Sequence, residues 1–169
     1  MKKDGINIGI IGFGIVGSGT AKILLANKDI LNERLGFKLN LRRIADLDIT
    51  TDRGIKIPEG VLTTDVNRLF NDPEIDIVVE LIGGIKPAKD FILKAIQNGK
   101  HVVTANKALL ATHGTDIFNA AREKGVEHCV NCADYPCKIY SKWQSVAKFL
   151  PHSRGAASSL EAIKHNGVD

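Results

Sequence analysis

Ile6-Asn7-Ile8-Gly9-Ile10-Ile11, followed by Gly12-Phe13-Gly14-Ile15-Val16-Gly17, is the stretch that decides the fold. An apolar β-type run ends in G-x-G-x-x-G, and a helical run from Ser18 to Ala26 follows at once. In that setting the glycines mark a dinucleotide-binding turn; without the flanking runs they would mark an ordinary tight strand-to-helix turn. Gly12 lets the chain turn tightly. Gly14 removes a side chain so that backbone can approach a pyrophosphate, and Gly17 lets the helix pack close to the strand. The helix N-terminus then offers free N–H groups and the positive end of a dipole to the phosphates.

Working outward, strands and helices alternate. After a first helix over residues 15–27 comes an amphipathic turn, Asp29–Leu35, ending near Gly36. A second strand is expected over Leu39–Asp46, then a polar loop, Asp48–Gly60. Thr64 or Asp65 caps a short helix over Val66–Phe70, which stops before Asp72-Pro73. Ile75–Ile82 is the most apolar strand. Pro87 falls in the first turn of a helix that runs to Gln97 and is stopped by Gly99. His101–Thr104 is a further strand. A helix begins near Asn106, is interrupted around His113-Gly114 and ends before Gly125, where Val126 is placed to start a sixth strand. Such alternation predicts an α/β fold, a doubly wound, Rossmann-like parallel sheet with right-handed crossovers.

Three motifs fall at carboxyl ends of strands: Gly12–Gly17, Ile82-Gly83-Gly84 and Thr104-Ala105-Asn106-Lys107. In an open α/β sheet that edge is where ligands bind. Gly83 and Gly84 read equally as a loop of unusual backbone angles and as a close approach to the dinucleotide. Glu80 interrupts an apolar run, so its carboxylate needs a partner or an exposed strand end; an orienting role is expected of it. Asn106 is a good N-cap, which puts Lys107 in a first helical turn, where the dipole mildly disfavours a cation. Lys107 therefore either points to water or reaches into the crevice toward cofactor or substrate oxygen. Asp46, at the end of the second strand, is the acid expected to accept hydrogen bonds from the adenosine ribose hydroxyls and to repel a 2′-phosphate. It lies 29 positions after Gly17 because the first crossover carries the extra turn. Arg42, Arg43 and Arg53 are the cations that would recognise a phosphate instead, so NAD is favoured with NADP as the alternative.

The 169 residues suffice for one domain with a real core, and 44% hydrophobic with 25% charged residues is ordinary for a soluble globular protein. No apolar run is long enough to span a bilayer. Lys2 and Lys3 precede a stretch too broken by polar and glycine residues for a secretory core, so a cytoplasmic protein is expected. The net charge of +4 is spread, with 18 basic against 16 acidic residues up to position 127 and 5 against 3 after it. No basic block points to nucleic acid. A compositional seam follows Glu127: all three cysteines, both tyrosines and the only tryptophan come after it. Two pieces are expected, a dinucleotide-binding domain over 1–127 and a short, irregular, poorly ordered extension over 128–169.

The glycine turn through Gly19, the string Asp72-Pro73-Glu74-Ile75-Asp76-Ile77-Val78-Val79-Glu80-Leu81-Ile82-Gly83-Gly84, and His101-Val102-Val103-Thr104-Ala105-Asn106-Lys107-Ala108-Leu109-Leu110-Ala111 together resemble the NAD(P)-binding domain of homoserine dehydrogenase. The likeness covers about residues 5–127. It implies the NAD(P)-linked interconversion of aspartate semialdehyde and homoserine, in the route to threonine and methionine. It also implies that Phe13, Gly14, Ile15 and Val16 touch the dinucleotide. By the same likeness Lys107 lies beside the nicotinamide as the catalytic lysine, stabilising or protonating a carbonyl oxygen as hydride arrives. The family continues with a larger α/β domain that supplies the substrate carboxylates, a second lysine and dimer contacts. No residue of these 169 matches that substrate-binding set. Dinucleotide binding with little or no homoserine turnover is therefore expected, the substrate entering only where a substrate domain is supplied. An oligomer is compatible with the likeness.

Beyond the seam, Cys129-x-x-Cys132-x-x-x-x-Cys137 with Asp134-Tyr135-Pro136, and Ser158–Val168, weakly resemble the end of a small cysteine-rich family of unknown function. Cys129, Cys132 and Cys137 with His128 or His152 are candidate zinc donors, yet three thiols fall short of the usual four-ligand structural site, and free thiols are the alternative. No metal site is assigned. The runner-up function is a non-catalytic NAD(H)-binding or thiol redox-sensing module.

Overall fold

A computed structural model describes residues 5–125. Five strands form one sheet: β1 (Gly5–Ile11), β2 (Lys38–Ala45), β3 (Leu62–Thr63), β4 (Ile77–Glu80) and β5 (His101–Thr104). Their spatial order is β3-β2-β1-β4-β5 and every pairing is parallel. The strand order reverses between β1 and β4, so the crevice expected of this topology opens above the ends of those two strands. The doubly wound parallel fold expected from the alternation is the one observed.

The helices are α1 (Ile15–Ala26), α2 (Lys28–Leu35), α3 (Asn67–Phe70), α4 (Ala88–Gln97) and α5 (Lys107–Glu123). Successive strand residues point to opposite faces, so β1 feeds two cores. Ile8 and Ile10 pack with Phe13, Ala21 of α1 and Ile44. Ile11 packs with Ala45, Leu69, Phe70, Ile75, Val78 and Ala95 on the α3 and α4 side. A third cluster, including Ile92, Ile96, Leu109 and Ile117, joins α4 to α5. Lys89 reaches from α4 to Asp116 and His113 of α5, where His113 leaves helical geometry at the expected interruption.

Some element ends differ from the expected ones for identifiable reasons. β4 is shorter than the apolar run because Ile75 is held in a turn, its N–H donating to the Asp72 carbonyl, while Ile82 donates to the Glu80 side chain instead of a strand neighbour. β3, two residues long, follows the polar loop and was not expected. α2 ends at Gly36, φ +75. The sixth strand expected from Val126 lies outside the described residues, as do the 127/128 seam, the cysteines and the Ser158–Val168 run.

Asp72 ties the segment between α3 and β4 to β2. It accepts from Arg42 at 2.8 Å, from Arg43 at 3.4 Å and from the Glu74 N–H at 3.0 Å. Burial pushes this carboxyl up, but the Arg42 hydrogen bond, aided by the Glu74 N–H and Arg43, brings it below its ordinary value. A carboxyl lowered in the folded state stabilises above its unfolded pKa and loses that contribution as pH falls through the folded one. Asp72→Asn is expected to lower stability by about 1.5–3 kcal/mol at neutral pH. In urea melts the difference from wild type should begin to shrink near pH ~4 and vanish once pH has fallen through the lowered folded pKa; a difference that does not shrink with falling pH would refute the ionic origin.

Candidate functional site

The chain leaves β1 at Ile11 and turns at Gly12, whose φ is +101. The Gly12 N–H donates to the Ala45 carbonyl at 2.8 Å, locking the turn to the end of β2. A Cβ on Gly17 would sit 1.9 Å from the Gly12 carbonyl oxygen, so only glycine lets α1 come this close to β1. Gly14 caps α1 without any side-chain hydrogen bond, no acid occupies the first turn, and a Cβ there would meet nothing within 4 Å. These observations fit a diphosphate: uncapped N–H groups, open space above the glycine and no acid in the helix's own first turn. Ile15 is 92% exposed and Val16 59%, which puts apolar side chains on the rim. Phe13 is different. Its ring is buried in the α1-side core, so this residue presents backbone, not side chain, to the crevice.

Asp46 follows β2 directly. One carboxylate oxygen accepts the Phe13 N–H and the other accepts the Asp48 N–H at 2.8 Å. The side chain therefore braces the glycine turn, while a carboxylate retains further lone pairs for other donors. Asp48 in turn holds Arg53 at 2.9 Å. Hydrogen bonds from Thr51, side chain before backbone, keep the Asp48 carboxyl well below its ordinary value. Of the three arginines considered for phosphate recognition, Arg42 and Arg43 are engaged by Asp72 and only Arg53 belongs to the loop after Asp46.

The other two motifs are joined by a hydrogen-bond chain that begins at Glu80. This residue is 1% exposed. Its carboxylate accepts the Ile82 N–H at 2.8 Å and the Thr104 hydroxyl at 2.6 Å. The Thr104 oxygen accepts the Asn106 N–H at 3.0 Å. The Asn106 side chain then works in both directions, accepting the Leu109 N–H at 3.1 Å as the α5 cap and donating to the Gly84 carbonyl at 2.6 Å. Lys107 opens α5 and is exposed. Gly84 adopts φ +84, which a glycine accepts without strain; Gly83 has open space where a Cβ would stand.

Two cavities lie along this edge. One of about 440 Å³ is lined by Val16, Glu80, Leu81, Ile82, Gly83, Ala105, Asn106, Lys107 and Ala108. The other, about 310 Å³, is lined by residues that include Asp46, Leu47, Thr64, Val66, Ile82, Gly83 and Phe91. Ile82 and Gly83 border both, so these two residues form the wall that the cavities share. The three sequence motifs thus come together on one rim. Sequence reasoning missed Ile82 as the shared wall and the Glu80–Thr104 bond; the acid inside an apolar run was the only signal for the latter.

Comparison with known proteins follows the same residues. The sequence model of the family described as homoserine dehydrogenase, NAD binding domain, matches residues 12–131. The homoserine dehydrogenase of Bacillus subtilis is 37% identical over 157 residues, 93% of this chain and 34% of the relative. That of Pseudomonas aeruginosa is 46% identical over 123 residues, 72% of this chain and 27% of the relative. The crystal structure of a homoserine dehydrogenase from Thiobacillus denitrificans matches with a TM-score of 0.65 at 43% identity, over 73% of this chain and 29% of that one. The chain spans about a third or less of the length of these relatives, and the Bacillus subtilis match, at 157 of 169 residues, runs past position 127. The family match covers the glycine turn, the Glu80–Gly84 end of β4 and the Thr104–Lys107 turn together, and this chain belongs to the homoserine dehydrogenase NAD-binding domain family.

Proposed function

We propose that this chain binds NAD(H) across the β1–β4 crevice and forms the cofactor half of a homoserine dehydrogenase, which interconverts aspartate semialdehyde and homoserine. The observation that carries this is the convergence of Gly12–Gly17, Gly83 and Asn106–Lys107 on one rim. Gly12, Phe13, Gly14 and Gly17 would form the turn beneath the diphosphate, the free N–H groups at the start of α1 would hold it, and Ile15 and Val16 would cover it. Asp46 would take the adenosine ribose, and NADP is the weaker alternative. Bound nicotinamide supplies the hydride chemistry. Gly83, Gly84, Thr104 and Asn106 shape the wall beside that ring, and the exposed Lys107 ammonium is the group able to hold a substrate carbonyl oxygen and deliver a proton to it.

The remaining substrate contacts are expected from sequence outside residues 1–127, as is any subunit interface. The 127/128 boundary, a cytoplasmic setting and an oligomeric assembly belong to this same proposal. Among the described residues no helix is long and apolar enough to cross a membrane.

Calorimetric titration of the 169-residue chain tests the cofactor. NADH is expected to bind with a Kd of about 1–100 μM, within the usual range for enzyme ligands, and NADPH about tenfold more weakly. No heat from either nucleotide below millimolar concentration would overturn the proposal. Homoserine oxidation by the same chain alone is expected at background; a rate typical of dehydrogenases would show that no further substrate unit is needed.

A further inference from the structure

Glu80 is an acid that the hydride-transfer scheme above does not use. It is buried, yet it borders the 440 Å³ cavity beside Lys107. Both oxygens accept hydrogen bonds, from Ile82 and Thr104, and among the described residues it has no ion-pair partner. Of the nine residues lining the cavity, only Glu80 and Lys107 are charged. The two are not equivalent. Lys107 is exposed, and its field is damped by water and salt. A charge on buried Glu80 would act through protein of lower effective dielectric and be felt more strongly at the same distance.

Retaining an unpaired buried carboxylate has a desolvation cost that a neutral residue would avoid. Two hydrogen bonds offset part of that cost but do not require a charge. What distinguishes the charge is its effect on whatever ring occupies the cavity. The nicotinamide ring is cationic in NAD+ and neutral in NADH. We propose that Glu80 is a buried counter-charge that favours the oxidised, cationic form of the nicotinamide in this crevice. It biases the bound redox couple toward NAD+, as a specificity-determining residue distinct from Lys107. This rests on the dinucleotide reading of the crevice.

The test is equilibrium binding of NAD+ and NADH to the full chain, with no turnover required. Wild type is expected to bind NAD+ at least as tightly as NADH. Glu80→Gln, nearly isosteric and neutral, should weaken NAD+ about tenfold and leave NADH within about twofold, the size of a partly screened charge–charge attraction. Glu80→Asp keeps a carboxyl group at this position, and should leave the NAD+/NADH ratio within about twofold even if both affinities fall. Equal loss of both nucleotides in Glu80→Gln would overturn the proposal, as would a wild-type preference for NADH of about tenfold or more. Should Glu80→Gln fail to fold, the wild-type ratio still decides. If wild type binds neither nucleotide, the dinucleotide reading itself has failed, an outcome distinct from a ratio that Glu80 does not move.

Discussion

Gly17→Ala will unseat α1 and abolish measurable NADH binding. The added methyl carbon would lie 1.9 Å from the Gly12 carbonyl oxygen, 2.8 Å from the carbonyl carbon. Both are backbone atoms, and Gly12 is itself fixed by its bond to Ala45 and by Leu81, which leaves no room for a Cβ on Gly12. The helix must therefore move away from β1 at its first turn. That motion opens the core of Ile8, Ile10, Phe13 and Ala21 and tips the N–H groups that follow Gly14. Overpacking of this kind costs about 1–3 kcal/mol in a close-packed interior, and more where backbone is the obstacle. A melting temperature lower by about 10 °C is expected for a domain of this size, with NADH affinity down at least about a hundredfold because the amides no longer converge. Gly19→Ala is the internal control. It lies on the exposed side of α1 with nothing within 4 Å, so it should raise stability by about 0.5–1 kcal/mol and leave binding alone. Melting curves and titrations of the two variants side by side decide the matter; a Gly17→Ala protein that binds NADH normally would remove the close-approach argument.

That pair of glycines also illustrates what a linear chain can and cannot disclose. Gly12, Gly14 and Gly17 are readable because each answers a local requirement set by neighbours a few positions away. The parallel sheet is readable for the same reason, since strand-helix alternation permits few arrangements. Asp46 is harder. Its place after β2 follows from counting, but its hydrogen bond to Phe13 spans 33 positions and depends on how the two strand ends meet. Phe13 shows a further limit: its side chain goes to the core and only its backbone lines the turn, which no pattern inside a six-residue motif discloses. Glu80 is flagged by its oddity, whereas its partner Thr104 emerges only once β4 and β5 lie in register. β3 escapes altogether, because a two-residue strand has no periodicity to detect. Long-range polar contacts depend on register, and register is a property of the assembled sheet.

Asp46→Asn should reverse the choice between NADH and NADPH. The asparagine keeps the size of the side chain and one oxygen acceptor, so the bonds to Phe13 and Asp48 are partly preserved. Two things are lost: the charge that strengthens hydrogen bonds from ribose hydroxyls, and the repulsion of a 2′-phosphate. Charge-assisted bonds are roughly twice as strong as neutral ones, so NADH is expected to weaken about tenfold. Relief of a like-charge contact near the surface is worth a similar factor for NADPH, giving a swing of about a hundredfold in the ratio. Arg53 sharpens the effect. Its guanidinium is now held by Asp48 at 2.9 Å and is thereby neutralised. Adding Asp48→Asn releases that cation next to the site vacated by negative charge, and should strengthen NADPH by about a further tenfold while leaving NADH unchanged. Paired titrations at low and high ionic strength check the origin, because the NADPH gain must shrink as salt rises. A ratio that stays at its wild-type value in the double variant would mean that the end of β2 does not face the adenosine ribose.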